Sequence, residues 1–397
     1  MRRALLDASV VAAALVVGLG IAEIMLRVIG FSYPPFHQPD PITGLSLRPN
    51  TSGWYRKEGQ AYVSTNSQGL RDRERPLTKP SGTYRILMLG DSYPEALQVN
   101  VEIAFWRLLE QRLEACAFKS AKHIDVINLG VSGFGTGQEL RMLQTRGLAY
   151  QPDLVILAFF PGNDVRNNSR ELEPDKMRPF YLLDTAGALR LDDTFARSME
   201  FRRRTGRLRR AGKELSRHLR TLQLIYYVKD LRDMKREQTE VAAAPAVAAA
   251  TPAQSGGEAG LDDQIFRNPP DQKWEEAWRL TERLILELKQ TAASEHAEFA
   301  VIIVSMGLQV HPDKAVREAF ARRLGVEDLS YPERRITQFG ERTNTRVINL
   351  VPDLKRHAER NTVYLHGFAN TSLGSGHWNE AGHSAAAELI GTQLCRG

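Results

Sequence analysis

Cysteine is scarce in this chain of 397 residues: only Cys116 and Cys395 occur, so neither a disulfide framework nor a CxxC metal or redox pair can be built. Two histidines at the i, i+4 spacing that would set zinc ligands on one helix face are missing as well. Gly133, Gly135 and Gly137 alternate but do not spell the Gly-x-Gly-x-x-Gly of a dinucleotide-binding turn. Gly130-Val131-Ser132-Gly133-Phe134 lacks the final glycine of a Gly-x-Ser-x-Gly nucleophile elbow, which removes Ser132 as a nucleophile. Chemistry through a metal or an organic cofactor therefore has no motif behind it.

A charge excess spread over the whole surface is also lacking. The net charge is +6, yet residues 197–220 alone hold ten basic side chains against Glu200 and Glu214, so the remainder is about −2. Nucleic acid is therefore not expected as a partner. The basic segment reads as a solvated helix face on an insertion, or as a contact for anionic lipid headgroups or an acidic polysaccharide. With 42% hydrophobic and 25% charged residues, the rest suits a globular protein with a sizeable core.

Charge is absent from residues 9–22, which follow Met1-Arg2-Arg3, and apolar residues resume beyond Glu23. Residues 8–30 suffice to cross a bilayer if Glu23 and Arg27 reach the interface, with Arg2 and Arg3 staying cytoplasmic. Gly20-Ile21-Ala22 also resembles a small-x-small cleavage site, so residues 1–30 read as a signal anchor or a signal peptide. Either places the remaining chain outside the cytoplasm.

Residues 31–80 are rich in proline, glycine and polar side chains and read as an extended lead-in. Beyond them, apolar runs predict strands over 84–89, 123–129, 154–160, 299–305 and 346–350. Helical spacing predicts helices over 103–113, from 138, over 274–293, 334–342 and 379–394. Five apolar strands separated by helices give a parallel sheet covered on both faces, a three-layer α/β/α sandwich over 81–396. Residues 175–270 interrupt it as an insertion, and 241–260, nearly all Ala, Pro, Gly and Ser, read as a disordered linker.

Polar clusters follow the first three strands: Gly90-Asp91-Ser92, the loop carrying Gly133, and Gly162-Asn163-Asp164; a fourth, Gly376-His377-Trp378-Asn379, opens the last helix. Sites in open α/β sheets gather at the carboxyl ends of strands, where these clusters fall. Acyl-ester chemistry needs a nucleophile, a base, oxyanion donors and a group that orients the base. Ser92 can supply the first, His377 the second, and the Gly133 N–H and the Asn163 amide the third. Plainer roles compete: Ser92 as a helix cap, Asn163 as a loop organiser, His383 as a packing residue, and Asp91 and Asp164 as loop-organising carboxylates.

These four blocks, in this order, resemble those of SGNH (GDSL-like) hydrolases. The resemblance spans about residues 84–394 apart from the insertion, and implies a flavodoxin-like strand order. It makes Ser92 the nucleophile, His377 the base, and the Ser92 N–H, Gly133 N–H and Asn163 the oxyanion donors. Asn66-Ser67-Gln68-Gly69-Leu70-Arg71 looks like a lead-in of membrane-anchored bacterial members. The family's aspartate, two or three residues before the histidine, is replaced by Ser375 and Gly374. Ser375 or a backbone carbonyl, or else a carboxylate such as Asp353 or Glu380, is left to orient His377. The resemblance implies an ester hydrolase acting on an O-acylated cell-surface glycan or lipid, with a polysaccharide O-acetyltransferase or a silent polysaccharide-binding protein as alternatives.

Overall fold

A computed structural model describes residues 2–243 and 261–396. Two short hairpins come first, His37–Asp40 with Gly44–Leu47 (β1, β2) and Ser52–Tyr55 with Ala61–Ser64 (β3, β4). The main sheet is built from Thr83–Gly90 (β5), His123–Asn128 (β6), Leu154–Phe159 (β7), Glu298–Ile303 (β10) and Arg346–Asn349 (β11). A third hairpin, Phe180–Leu183 with Leu189–Asp192 (β8, β9), lies in the insertion.

The helices are Arg2–Val28 (α1), Ser92–Glu95 (α2), Phe105–Ala115 (α3), Thr136–Met142 (α4), Asp164–Asn168 (α5), Met199–Arg204 (α6), Arg207–His218 (α7) and Arg220–Ala243 (α8). After the gap come Gln272–Ser294 (α9), Lys314–Leu324 (α10), Tyr331–Thr343 (α11), Val351–Asn361 (α12) and Glu380–Cys395 (α13). The linker read over 241–260 meets the end of α8 at 241–243, and its other residues lie outside those described.

All strand pairings of the main sheet are parallel, in the order β11-β10-β7-β5-β6. Counting only these five strands, that is the 2-1-3-4-5 order of flavodoxin-like sheets, and the order reverses between β5 and β7. β7 is apolar throughout, and β5 is apolar from Ile86 to Leu89, because helices cover both faces: all of these residues are buried. Helix α3 packs on α13, and α4 on α9. The expected helices form where the spacing places them; α9, for example, is capped by Asp271, which accepts from the Trp274 N–H at 3.0 Å, and turns Trp278, Leu284, Ile285 and Leu288 into the core.

Two features add to what the sequence suggested. Cys116 and Cys395 are joined in a disulfide with Cα atoms 6.3 Å apart, stapling the end of α3 to the end of α13. Two cysteines do not make a framework, but helix packing brings this pair together across 279 residues. The lead-in is likewise folded rather than merely extended: Phe36, Leu47, Ala61 and Val63 from the hairpins form a small buried cluster with Leu97, just beyond α2.

Among the described residues, one helix is long and apolar enough to cross a membrane, residues 9–28 of α1, with mean hydropathy 2.3 and no burial within the fold. Its far end is tied to the insertion. The Glu23 carboxylate accepts from the Arg220 and Thr221 N–H groups, each at 3.0 Å, and so caps the start of α8.

Candidate active site

Gly90 ends β5 with φ +151°, and a Cβ there would lie 2.6 Å from the Pro94 ring, so only glycine lets the chain turn into α2. Asp91 caps that short helix by accepting from the Tyr93 N–H at 3.1 Å, and Ser92 follows as its first residue. Arg71, from the sequence block 66–71, is fully buried and donates to the carbonyls of Glu95 (2.9 Å), Ala96 and Val99. That block thus holds the C-terminal end of α2, satisfying carbonyls a four-residue helix leaves open.

His377 precedes α13, whose first turn is capped by Asn379 accepting from the Gly382 N–H at 3.1 Å. The neighbouring Trp378 is fully buried, and its indole N–H donates to Ser305 Oγ at 3.0 Å. Ser305 in turn meets His366 Nε2 at 3.0 Å, and His366 Nδ1 meets the Gly376 carbonyl at 2.7 Å. This buried chain of contacts fixes the backbone on both sides of His377.

The structure brings Ser92 and His377 together, with Oγ and Nε2 2.7 Å apart. On the other side of the ring, Nδ1 lies 2.5 Å from Glu58 Oε2, while Glu58 Oε1 accepts the His377 backbone N–H at 2.8 Å. A carboxylate can only accept, so Nδ1 carries the proton and Nε2 turns its lone pair toward the serine. Burial pushes the Glu58 carboxyl up, but the charge and hydrogen bonds of His377 outweigh it and hold the group below the usual carboxylate range.

Glu58 sits in the turn between β3 and β4, a position sequence reasoning passed over. Of the groups weighed for orienting His377, Asp353 pairs with Arg356 at 2.8 Å, Ser375 Oγ donates to the Ser372 carbonyl at 3.3 Å, and Glu380 is the first residue of α13. Asn370 clamps the Glu58 turn, accepting from the Gly59 N–H at 2.9 Å and donating to the Gly59 and Arg56 carbonyls. Gly376 (φ +82°) makes room for the acid, since a Cβ there would stand 2.1 Å from Glu58 Oε1. That glycine is the one sequence signal that could have hinted at a close approach.

Asn163 lies beside the serine: its amide donates to Asp91 Oδ2 at 3.1 Å, the oxygen that also lies 3.4 Å from Ser92 Oγ. Gly133 adopts φ +75°, and its carbonyl is held by Arg178 at 2.9 Å and Asn167 at 3.3 Å. Ser132 donates to buried Glu95, which also meets His37 Nε2 at 2.6 Å, so the Gly133 loop, α2 and the first hairpin are joined. Burial pushes Glu95 up, but His37 and Ser132 bring it below its ordinary value; burial pushes His37 down, and Glu95 more than reverses this.

The remaining residues singled out in the sequence have structural partners. His383 Nδ1 accepts from the Phe105 N–H at 3.2 Å, and burial takes its ring down to about 3. Asp164 organises its loop by accepting from the Phe160 N–H at 2.8 Å. Asp91, Asp164 and Glu139 form a buried acidic cluster behind Ser92, and burial first, then one another's charge, raises the last two well above the carboxylate range.

No known family model matches the chain, and no curated protein is similar to it in sequence. Among solved structures it is similar to an acetyl xylan esterase, at 11% identity over 78% of this chain and 98% of that one, with a TM-score of 0.38. A lipase/acylhydrolase from Enterococcus faecalis matches at 14% identity over 79% and 96%, TM-score 0.36. A catalytic mutant of an acetylxylan esterase from Geobacillus stearothermophilus matches at 12% over 78% and 94%, TM-score 0.37. The chain's own fold is a five-stranded parallel sheet in flavodoxin-like order, with the first three sequence blocks at the carboxyl ends of β5, β6 and β7 and the fourth before α13.

Proposed function

We propose that the protein is a serine-dependent ester hydrolase. The observation that carries this reading is the continuous contact from Glu58 through His377 to Ser92, with 2.5 Å and 2.7 Å between the bonded atoms. Ser92 Oγ attacks the ester carbonyl and passes its proton to His377 Nε2. Glu58 keeps the ring oriented and stabilises the imidazolium that forms. Charge developing on the carbonyl oxygen is met by the Ser92 and Gly133 N–H groups and the Asn163 amide. Collapse expels the alcohol, which takes the proton from His377 and leaves an acyl group on Ser92. Water then repeats the sequence to release the acid.

The substrate class in this reading is an O-acylated glycan or lipid outside the cytoplasm. Three features support that location: the apolar length of α1, the arginines before it, and the Cys116–Cys395 disulfide, which suits an oxidising compartment. A silent binding protein loses its main support, because the carboxylate lacking near residue 375 is supplied by Glu58. Labelling of the full chain with a fluorophosphonate probe tests the proposal. Labelling that disappears in Ser92→Ala supports it; folded wild-type protein that takes no label contradicts it.

A further inference from the structure

The basic segment at 197–220 does not present all its charge to open solvent. Arg204, Arg209 and Lys213, from α6 and α7, line a cavity of about 320 Å³ whose opposite wall includes Ser132, Gly133 and Arg178. Ser92 is not part of that wall; the cavity meets the candidate active site through the Gly133 loop. Beyond His37, Ser132 and Lys213 it continues into a second cavity of about 420 Å³, walled by Tyr33, Tyr55 and Tyr226. Together the two have the size of small-ligand sites.

Most cations here are occupied. Arg178 spends its fork on the Gly133 carbonyl and on Gln138 Oε1 at 3.0 Å, with Glu173 at 3.8 Å. Arg204 pairs with Glu200 at 2.7 Å and Asp175 at 3.6 Å, the latter the acidic group on this wall. The side-chain cations of Arg209 and Lys213 have neither hydrogen bond nor ion pair among the described residues. Burial, then the charges of Arg48, Arg209 and Arg204, hold the Lys213 ammonium below its ordinary value. Lys213 is half-buried in this cleft beside the exposed Arg209, and Asp175 is spent on Arg204, so the wall keeps a net positive charge that raises the local concentration of anions.

We infer that the acylated ligand of this protein is an anionic saccharide, whose carboxylate or phosphate is held by Lys213 and Arg209 beside the Gly133 loop. Tyrosine faces with polar edges in the adjoining cavity suit sugar rings, which are apolar on their faces and hydroxylated at their rims. Calling this ligand the substrate rests on the ester-hydrolase reading; its charge does not.

The test is equilibrium binding to the full chain in neutral detergent, carrying Ser92→Ala so that nothing turns over. The probes are an oligogalacturonate, a phosphorylated neutral oligosaccharide and an unmodified neutral oligosaccharide of equal length. Either anionic probe is expected to bind roughly tenfold or more tightly than the neutral one, with an affinity that falls as salt is added. The stronger of the two identifies the carboxylate or the phosphate. Arg209→Gln with Lys213→Gln should abolish the preference at unchanged melting temperature, while Arg203→Gln with Arg207→Gln should keep it. Equal binding of all three probes overturns the inference, as does a preference that survives the Arg209/Lys213 double variant. A double variant that loses binding only to phosphatidylglycerol vesicles also overturns it and gives the cluster to a lipid surface. Because binding needs no turnover, failure of fluorophosphonate labelling would remove the hydrolase reading and leave this result standing.

Discussion

Ser92, Gly133 and Asn163 stand on loops that leave β5, β6 and β7, so the buried sheet sets their spacing, whereas Glu58 stands on a hairpin of four-residue strands outside that sheet. The first group is placed by the same apolar strands that make the core. Glu58 is placed by local grips: Asn370 on its turn, the ring of Phe368 against Gly59, and the space left by Gly376. The fold and the placement of Ser92 are thus one problem, and the placement of Glu58 is another.

That division can be broken or sharpened by perturbing each side alone. Removing the Cys116–Cys395 staple with Cys395→Ser acts on the sheet side; it should cost ~2–4 kcal/mol of stability, read as a lower melting temperature, with kcat of the folded enzyme unchanged. Gly376→Ala acts on the hairpin side, because its Cβ would displace the Glu58 carboxylate. It should lower kcat by roughly 100-fold, the scale of a misplaced catalytic group, with a melting temperature lowered only by the strain of an alanine at φ +82°.

Acid should separate the two regions as well. Burial takes His366 down to about 4 and His383 to about 3, from 6.5. Below pH 6.5 the unfolded chain therefore takes up protons that the folded chain refuses. The contribution of each neutral ring is complete above 6.5 and is lost as pH falls toward those values, by about 1.4 kcal/mol per pH unit for each histidine. Glu58, held below the carboxylate range, stays ionised through most of that window. The raised carboxyls of Asp164 and Glu139 act in the opposite sense over the same range, so the histidine contribution is read by difference: between pH 7 and 4.5 the melting temperature of His383→Asn should fall less, or rise more, than that of the wild type. A smaller effect is expected from Asn370→Ala, which frees the turn without touching the carboxylate: kcat should fall roughly tenfold, about 1.4 kcal/mol in the barrier.

The sheet side was legible because strands and post-strand loops are local: an apolar run, a glycine, then Ser92, and the same pattern before Asn163. Tertiary contact set the rest. Glu58 lies 319 residues from His377, in Lys57-Glu58-Gly59, with no apolar periodicity nearby to mark it. The disulfide was hidden likewise, since two cysteines 279 residues apart carry no spacing signal. Helices α10 and α12 were passed over because charged residues dominate them and only a few positions, such as Phe320 and Leu354, reach the core. The basic segment could be seen as charge but not as a wall, because which cations pair depends on partners such as Asp175 and Gln138 from other parts of the chain.

The central claim is that Glu58 completes the site from outside the sheet. Its most direct test is kcat for hydrolysis of p-nitrophenyl acetate by Glu58→Gln, beside Asp353→Asn and Glu380→Gln. The account predicts a loss of roughly 10²–10⁴-fold for Glu58→Gln at near-native melting temperature, with the other two close to wild type. An unchanged kcat in Glu58→Gln, or an equal loss in Asp353→Asn or Glu380→Gln, would contradict it.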